Sequence, residues 1–175
     1  MRVIHVCSFF NTSSLYKNYF ESLKKTDQIV TQEVYIPLYK NKEFVPKDYG
    51  TVRGKEKSSE RLNYHYKYYL KRIERYLLIY RTKKLYFKLK RDLRVSKFDV
   101  LHAHSLFANG GVCYFLKKDL GCEYIVSFRQ TDLEVYQKLI YYRRFAKSII
   151  KNSKRIIFIS HSLREKFLNL IKDEE

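Results

Sequence analysis

Apolar residues fall into two rhythms along this chain. In five short runs they crowd together with β-branched side chains: RVIHVC (Arg2–Cys7), TQEVYIPL (Thr31–Leu38), DVLHAH (Asp99–His104), EYIVSF (Glu123–Phe128) and RIIFIS (Arg155–Ser160). Such runs predict strands. Between them, apolar positions recur at three- and four-residue steps, which predicts helices over Leu15–Lys25, Ala108–Lys118, Glu134–Asn152 and Leu163–Lys172. Ser162, with Glu165 three residues on, has the form of a capping box for the last helix. Strands that alternate with helices of this length make βαβ units. The expected fold class is therefore α/β: a single three-layer domain, residues 1–175, with a mostly parallel sheet. VLHAH and RIIFIS are apolar on both faces for most of their length, the pattern of strands covered on both sides.

The middle of the chain breaks this alternation. Residues 40–59 are polar and carry Pro46, Gly50 and Gly54, which predicts a long loop. Residues 60–97 place Leu62, Tyr66, Tyr69, Ile73, Leu77 and Tyr80 at helical steps, which predicts a long helical insertion, or two consecutive helices, with one stripe facing a core. Tyrosine and basic residues dominate it: from Arg61 to Lys97 there are thirteen Lys/Arg against only Glu74 and Asp92.

Composition adds a partner class to this outline. The 175 residues are 45% hydrophobic, enough for a core, and carry a formal net charge of +18. That excess favours a polyanionic partner: nucleic acid, an anionic membrane surface or a phosphorylated ligand. Cys7, Cys113 and Cys122 are widely spaced with no CxxC, which fits a reducing compartment and argues against a disulfide framework or zinc ribbon. MRVIHVCSFFN is too short and polar for a signal peptide, and no window approaches the roughly 20 apolar residues of a membrane span. The expected location is cytoplasmic.

In an open parallel sheet, ligands bind beyond the carboxyl ends of the strands. Those ends here carry SFFNTSS (with Asn11 and Thr12), His104–Ser105, RQTD (with Arg129, Thr131 and Asp132) and Ser160-His161-Ser162. Each is rich in hydroxyl, imidazole or charged groups, so the fold is expected to gather a polar rim from segments far apart in sequence. His102 and His104 point to one face of their strand. Zinc needs three or four ligands, and neither cysteine nor carboxylate stands nearby at ligand spacing, so no metal site is expected. His102, deeper in the strand, reads as a hydrogen-bonded structural histidine. His104 at the mouth is open between a structural role and contact with a sugar hydroxyl or proton. Arg129 is open between an ion pair with Asp132 and contact with a phosphate or carboxylate, and Asp132 alone reads as a helix N-cap. Asn109-Gly110-Gly111 reads as small residues where a helix starts close to the sheet. There is no GxGxxG, GxxxxGK[ST], GxSxG or HExxH, and the absence of glycine after the first strand disfavours NAD(P) chemistry.

Three pieces stand in a telling order: FDVLHAHSLFANGGVCYFLKKDLG, then YIVSFRQTD, then SKRIIFISHSLREKF. Together with the MRVIHV start, Phe98 to Glu165 resembles the N-terminal domain of family 4 glycosyltransferases, retaining enzymes of the GT-B fold. The resemblance implies a Rossmann-like domain, the acceptor-side half of a GT-B enzyme. It implies an enzyme that transfers a sugar from a nucleotide-sugar donor to a saccharide or lipid-linked acceptor in cell-surface polysaccharide or glycolipid synthesis. By motif His104, Arg129, Thr131 and Asp132 fall on family positions lining the cleft between the domains, His104 and Arg129 as the catalytic candidates and Thr131 and Asp132 as substrate-binding ones; Asn11, Thr12, Ser105 and Ser160, at the other strand ends, are expected to bind substrate as well. Two departures are Asn11-Thr12-Ser13-Ser14, where a glycine pair is common, and Gln130, where glycine is usual. The family's donor-binding domain carries a Glu-x7-Glu pair, yet no glutamate here has another eight positions on. The donor domain is therefore expected to be missing, the chain to be inactive alone, and no cofactor to bind it. A separate donor-binding domain is an expected partner.

The basic segment, with Lys71, Arg72, Arg75, Lys83, Lys84 and Lys88, has three readings. At an anionic leaflet each Lys or Arg is worth about 1 kcal/mol, and tyrosine suits the interface. This membrane reading predicts a peripheral protein at the inner face. The second reading is a solvated basic face over a tyrosine-rich core stripe. The third, nucleic acid, lacks any known recognition module and is not expected. The alternative to an enzyme is a non-catalytic module that holds an anionic membrane or other polyanion through this segment.

Overall fold

The computed structural model describes residues 1–8, 10, 14–26, 29, 31–39, 59–93 and 98–172. Six strands form one sheet: β1 (Arg2–Val6), β2 (Thr31–Tyr39), β3 (Leu62–Leu70), β4 (Val100–Ala103), β5 (Glu123–Phe128) and β6 (Arg155–Phe158). All neighbours pair parallel, in the order β3-β2-β1-β4-β5-β6. The helices are α1 (Ser14–Lys24), α2 (Leu78–Leu93), α3 (Gly111–Leu120), α4 (Gln130–Lys138), α5 (Arg143–Asn152) and α6 (His161–Lys172). The chain is the single parallel α/β domain its alternating pattern predicts.

Side-chain alternation divides each central strand between two cores. Ile4 and Val6 of β1, with Leu101 and Ala103 of β4, pack with Leu85 and Leu89 of α2 and Val112 and Leu116 of α3. On the opposite face, Cys7, Val34, Ile36, Leu62 and Tyr64 pack with Phe10 and with Phe20 of α1. Residues 5, 102 and 104 fall on this α1 face, since side chains alternate along a strand.

The helical prediction over residues 60–97 is half wrong. Leu62–Leu70 is a strand that pairs with β2, and α2 begins only at Leu78. Leu62, Tyr64 and Tyr66 also alternate with period two, and tyrosine, asparagine and histidine are poor helix formers while tyrosine favours strands. The same letters satisfy both rhythms; the open edge of β2 decides between them. The predicted stripe also fails, because Ile73, Leu77 and Tyr80 are 69%, 52% and 55% exposed. The buried stripe of α2 is instead Thr82, Leu85, Leu89 and Leu93. A register shift pairs Leu38 with Tyr68 and then Tyr39 with Leu70, which leaves Tyr69 as the extra residue of a bulge. That extra residue turns Leu70 into the α2-side core.

Three smaller expectations change. Glu134–Asn152 is two helices, separated by a 3-10 turn at Ile140–Tyr142. β6 is an edge strand, partly exposed rather than covered on both sides. At the last helix the cap is Ser160, whose Oγ accepts the Leu163 N–H at 3.2 Å, rather than Ser162 with Glu165. The predicted loop lies outside the described residues, apart from Ser59, which forms an isolated bridge with Leu62.

Candidate functional site at the carboxyl ends of β1, β4 and β5

In the order 3-2-1-4-5-6, strand succession reverses between β1 and β4, and in open α/β sheets ligands bind beyond the carboxyl ends at such a switch point. Ser8 follows β1, Ser105–Gly110 follow β4, and Arg129 follows β5.

The segment after β4 is one π-helical turn, Leu106–Gly110, buried throughout. Ser105 caps it: its Oγ accepts the Asn109 N–H at 3.2 Å, and its carbonyl accepts the Gly110 N–H at 2.9 Å. The two glycines allow α3 to start against its neighbours. A Cβ at Gly110 would lie 3.0 Å from Ile149 Cγ2, and one at Gly111 would lie 2.7 Å from Thr82 Cγ2 and 2.8 Å from Phe145 Cζ. Ser8 Oγ donates to Asn109 Oδ1 at 2.6 Å, which ties the end of β1 to the end of β4. Asn109 Nδ2 is buried without a hydrogen-bond acceptor.

Asp132 is buried and is the third residue of α4, not its N-cap. Its carboxylate accepts the Arg129 N–H at 3.0 Å and the Phe107 N–H at 3.3 Å, so it joins the turn after β5 to the turn after β4. Burial pushes its carboxyl up to about 6, against the backbone N–H groups and the Arg129 charge, which favour the anion. The Arg129 guanidinium lies over the ring of Tyr16 from α1, 5.6 Å from its centroid.

His104 does not open onto a mouth. It is buried, with its ring against Tyr16, Tyr19 and Phe20 at centroid distances of 5.5, 5.5 and 5.3 Å. Its Nε2 lies 3.1 Å from His5 Nδ1 of β1. His102 Nε2 bonds to Ser127 Oγ of β5 at 2.8 Å, the structural role expected of it. His5, His102 and His104 form one buried group on the α1 face, each offering a ligand atom within 4.8 Å of the others. Burial holds all three rings below the ordinary imidazole value: His102 falls to about 4, and His5 and His104 fall well below 6.5. For His5 and His104 the charge of His102 adds to this.

The predicted site residues therefore separate. His104, Ser105, Arg129 and Asp132 come together, but Ser105 and Asp132 spend their side chains on the backbone around them. Thr131 is exposed on the first turn of α4. Ser160 caps α6 at the far side of β5 and stands apart. Asn11 and Thr12 lie outside the described residues. Sequence reasoning missed His5, Tyr16 and Asn109 as members of this constellation. The lone imidazole inside RVIHVC was the signal for His5, once β1 is placed beside β4.

The basic segment is less uniform than its composition. Lys71 and Lys83 are exposed, whereas Lys84 turns inward to the buried Glu74, Nζ to Oε1 at 2.5 Å, and is no free polyanion contact. Lys88 is half-buried. Arg72 and Arg75 lie in a 3-10 turn, Arg72–Tyr76, between β3 and α2. Around that turn Ile73, Tyr76, Leu77 and Tyr80 are exposed. No helix among the described residues is long and apolar enough to cross a membrane.

Compared with known protein families, residues 44–174, about three-quarters of the chain, match the model described as Glycosyltransferase Family 4. No curated protein matches the chain.

Proposed function

The chain belongs to glycosyltransferase family 4, and from that premise we propose that this domain is the acceptor-side half of a retaining hexosyltransferase that works at an anionic membrane surface. The observation that carries the reading is the convergence of Ser8, Tyr16, Asn109 and Arg129 at the β1/β4 switch point. A buried amide donor without an acceptor suits a sugar hydroxyl, and an arginine held over an aromatic ring suits a phosphate or carboxylate. Arg129 is the catalytic candidate that can reach a ligand. His104, buried beneath it, acts as a positioning residue that supports Tyr16 through its ring edge.

The reaction asks two things of the whole enzyme: alignment of the acceptor hydroxyl, and stabilisation of a departing nucleotide diphosphate. This half supplies the first, and donor binding falls to a second Rossmann-like domain. The acceptor is a lipid-linked saccharide. Lys71 and Lys83, beside the exposed Ile73, Tyr76, Leu77 and Tyr80, make a surface suited to the interfacial zone of a cytoplasmic leaflet.

The test is binding of a polyprenyl-diphosphate-linked saccharide presented in anionic vesicles. We expect saturable binding that weakens at least tenfold in Arg129→Ala, with an unchanged circular dichroism spectrum and no sugar turnover without a donor domain. Binding indifferent to Arg129→Ala but abolished by Lys71→Glu with Lys83→Glu would favour the non-catalytic module. Robust transfer by the 175 residues alone would refute the division of labour.

A further inference from the structure

We propose that His5, His102 and His104 hold a divalent transition-metal ion of the zinc class, which pins β1 to β4 at the switch point of the sheet. The placement begins with register: His5 stands opposite His102 on the neighbouring parallel strand, and His104 is two residues further on the same face. Same-face positions along a strand are about 6.6 Å apart. Yet the rings of His102 and His104 lean together to 4.1 Å between centroids, and both lie 5.2–5.3 Å from that of His5. Nitrogens bound about 2.0–2.1 Å from a tetrahedral ion are about 3.3 Å apart. His5 Nδ1 and His104 Nε2 are already at 3.1 Å. The His102 ligand atom is within 4.8 Å of both, so a modest ring rotation completes three ligands.

The outer partners support the same assignment. A histidine that binds a metal donates its other ring N–H to a nearby acceptor, which fixes the tautomer. With His102 bound through Nδ1, its Nε2–H faces Ser127 Oγ at 2.8 Å. With His5 bound through Nδ1, its Nε2 is left for Gln32. In the metal-free arrangement His5 Nε2 and Gln32 Oε1 are both buried without a well-formed hydrogen bond, although Gln32 acts on that ring. The Tyr19 hydroxyl, 3.4 Å from His102 Nδ1, is placed to serve the fourth position or to hold a water there, and Tyr19 is partly exposed. Three neutral nitrogens with no thiolate favour zinc, cobalt, nickel or copper over magnesium or calcium. This inference does not depend on the transferase reading, because metal uptake and acceptor binding are measured separately.

The experiment strips the full chain with a chelator, then titrates Zn²⁺ against a chromogenic competitor and records melting curves and the Co²⁺ visible spectrum. We expect one equivalent bound, a melting temperature raised by about 5 °C or more at a hundredfold excess over Kd, and tetrahedral Co²⁺ bands without a thiolate charge-transfer band. Ser127→Ala should weaken affinity about 10- to 100-fold, and His102→Asn further. If His102→Asn fails to fold, Ser127→Ala and the wild-type Co²⁺ spectrum still decide. No uptake by the folded wild-type chain overturns the proposal. So does a thiolate band, which would place the ion at the cysteines, or undiminished affinity in the variants, which would place it elsewhere, as at the exposed His161.

Discussion

Acidification from pH 7 to 5 in metal-free buffer sets the buried histidines against the buried aspartate. In the unfolded chain each histidine takes a proton near 6.5. In the folded chain His102 resists until about 4, and burial holds His5 and His104 well below their ordinary value. These groups have depressed folded values, so the stability they contribute is full above 6.5 and is lost as pH falls. Asp132 has the opposite sign: its carboxyl is raised to about 6, so the folded chain holds a proton that the unfolded chain releases down to about 3.8. Between pH 6 and 4 the three histidines draw protons to the unfolded state while Asp132 draws one to the folded state, so stability falls as the pH falls. Down to pH 5 His102 by itself costs about 2 kcal/mol and Asp132 returns about 1, and His5 and His104, depressed in the same direction, add to the loss. Small domains have only about 5–15 kcal/mol in total. Urea unfolding followed by circular dichroism at half-unit pH steps measures the slope. A free energy that stays flat from pH 7 to 5 would refute the reasoning, and with it the claim that these rings are dry.

Four further outcomes follow from named contacts. Asp132→Asn removes the opposing proton and should steepen the acid limb by about 1.4 kcal/mol per pH unit between 4 and 6, read from the same urea series. Gly111→Ala drives a Cβ to within 2.7 Å of Thr82 and 2.8 Å of Phe145 and should cost about 1–3 kcal/mol; a variant as stable as wild type would show that α2 and α5 yield freely. Lys84→Met leaves the Glu74 carboxylate buried without its cation and should cost about 3 kcal/mol in denaturant unfolding, which Glu74→Gln in the same chain should partly restore. Lys71→Glu with Lys83→Glu should reduce co-sedimentation with anionic vesicles at least tenfold, and Leu77→Ser should weaken it even at high salt; binding unchanged by both would refute the proposed membrane surface.

Sequence periodicity by itself determined the α/β class, the parallel character of the sheet, and the position of all five expected strands to within two residues at each end. Burial on both faces is a local property of VLHAH and its neighbours, so their letters carry it without knowledge of the fold. It also placed a polar rim after β1, β4 and β5, because a hydroxyl, imidazole or charge at the end of an apolar strand needs no long-range information to be seen. Residues 62–70 were ambiguous for a physical reason: their tyrosines satisfy period two and period three to four alike, and only the unpaired edge of β2 selects the strand. The tertiary structure alone decided which rim residues remain available. Asp132 and Ser105 look like binding groups in a string of letters, and three-dimensional closure commits them to the N–H groups of Phe107, Arg129 and Asn109. His5 shows the limit most clearly. It lies ninety-seven residues from its cross-strand neighbour His102, and the two meet because β1 and β4 are adjacent in the sheet. Strand order is settled by the packing of the whole chain, and no local rhythm encodes it.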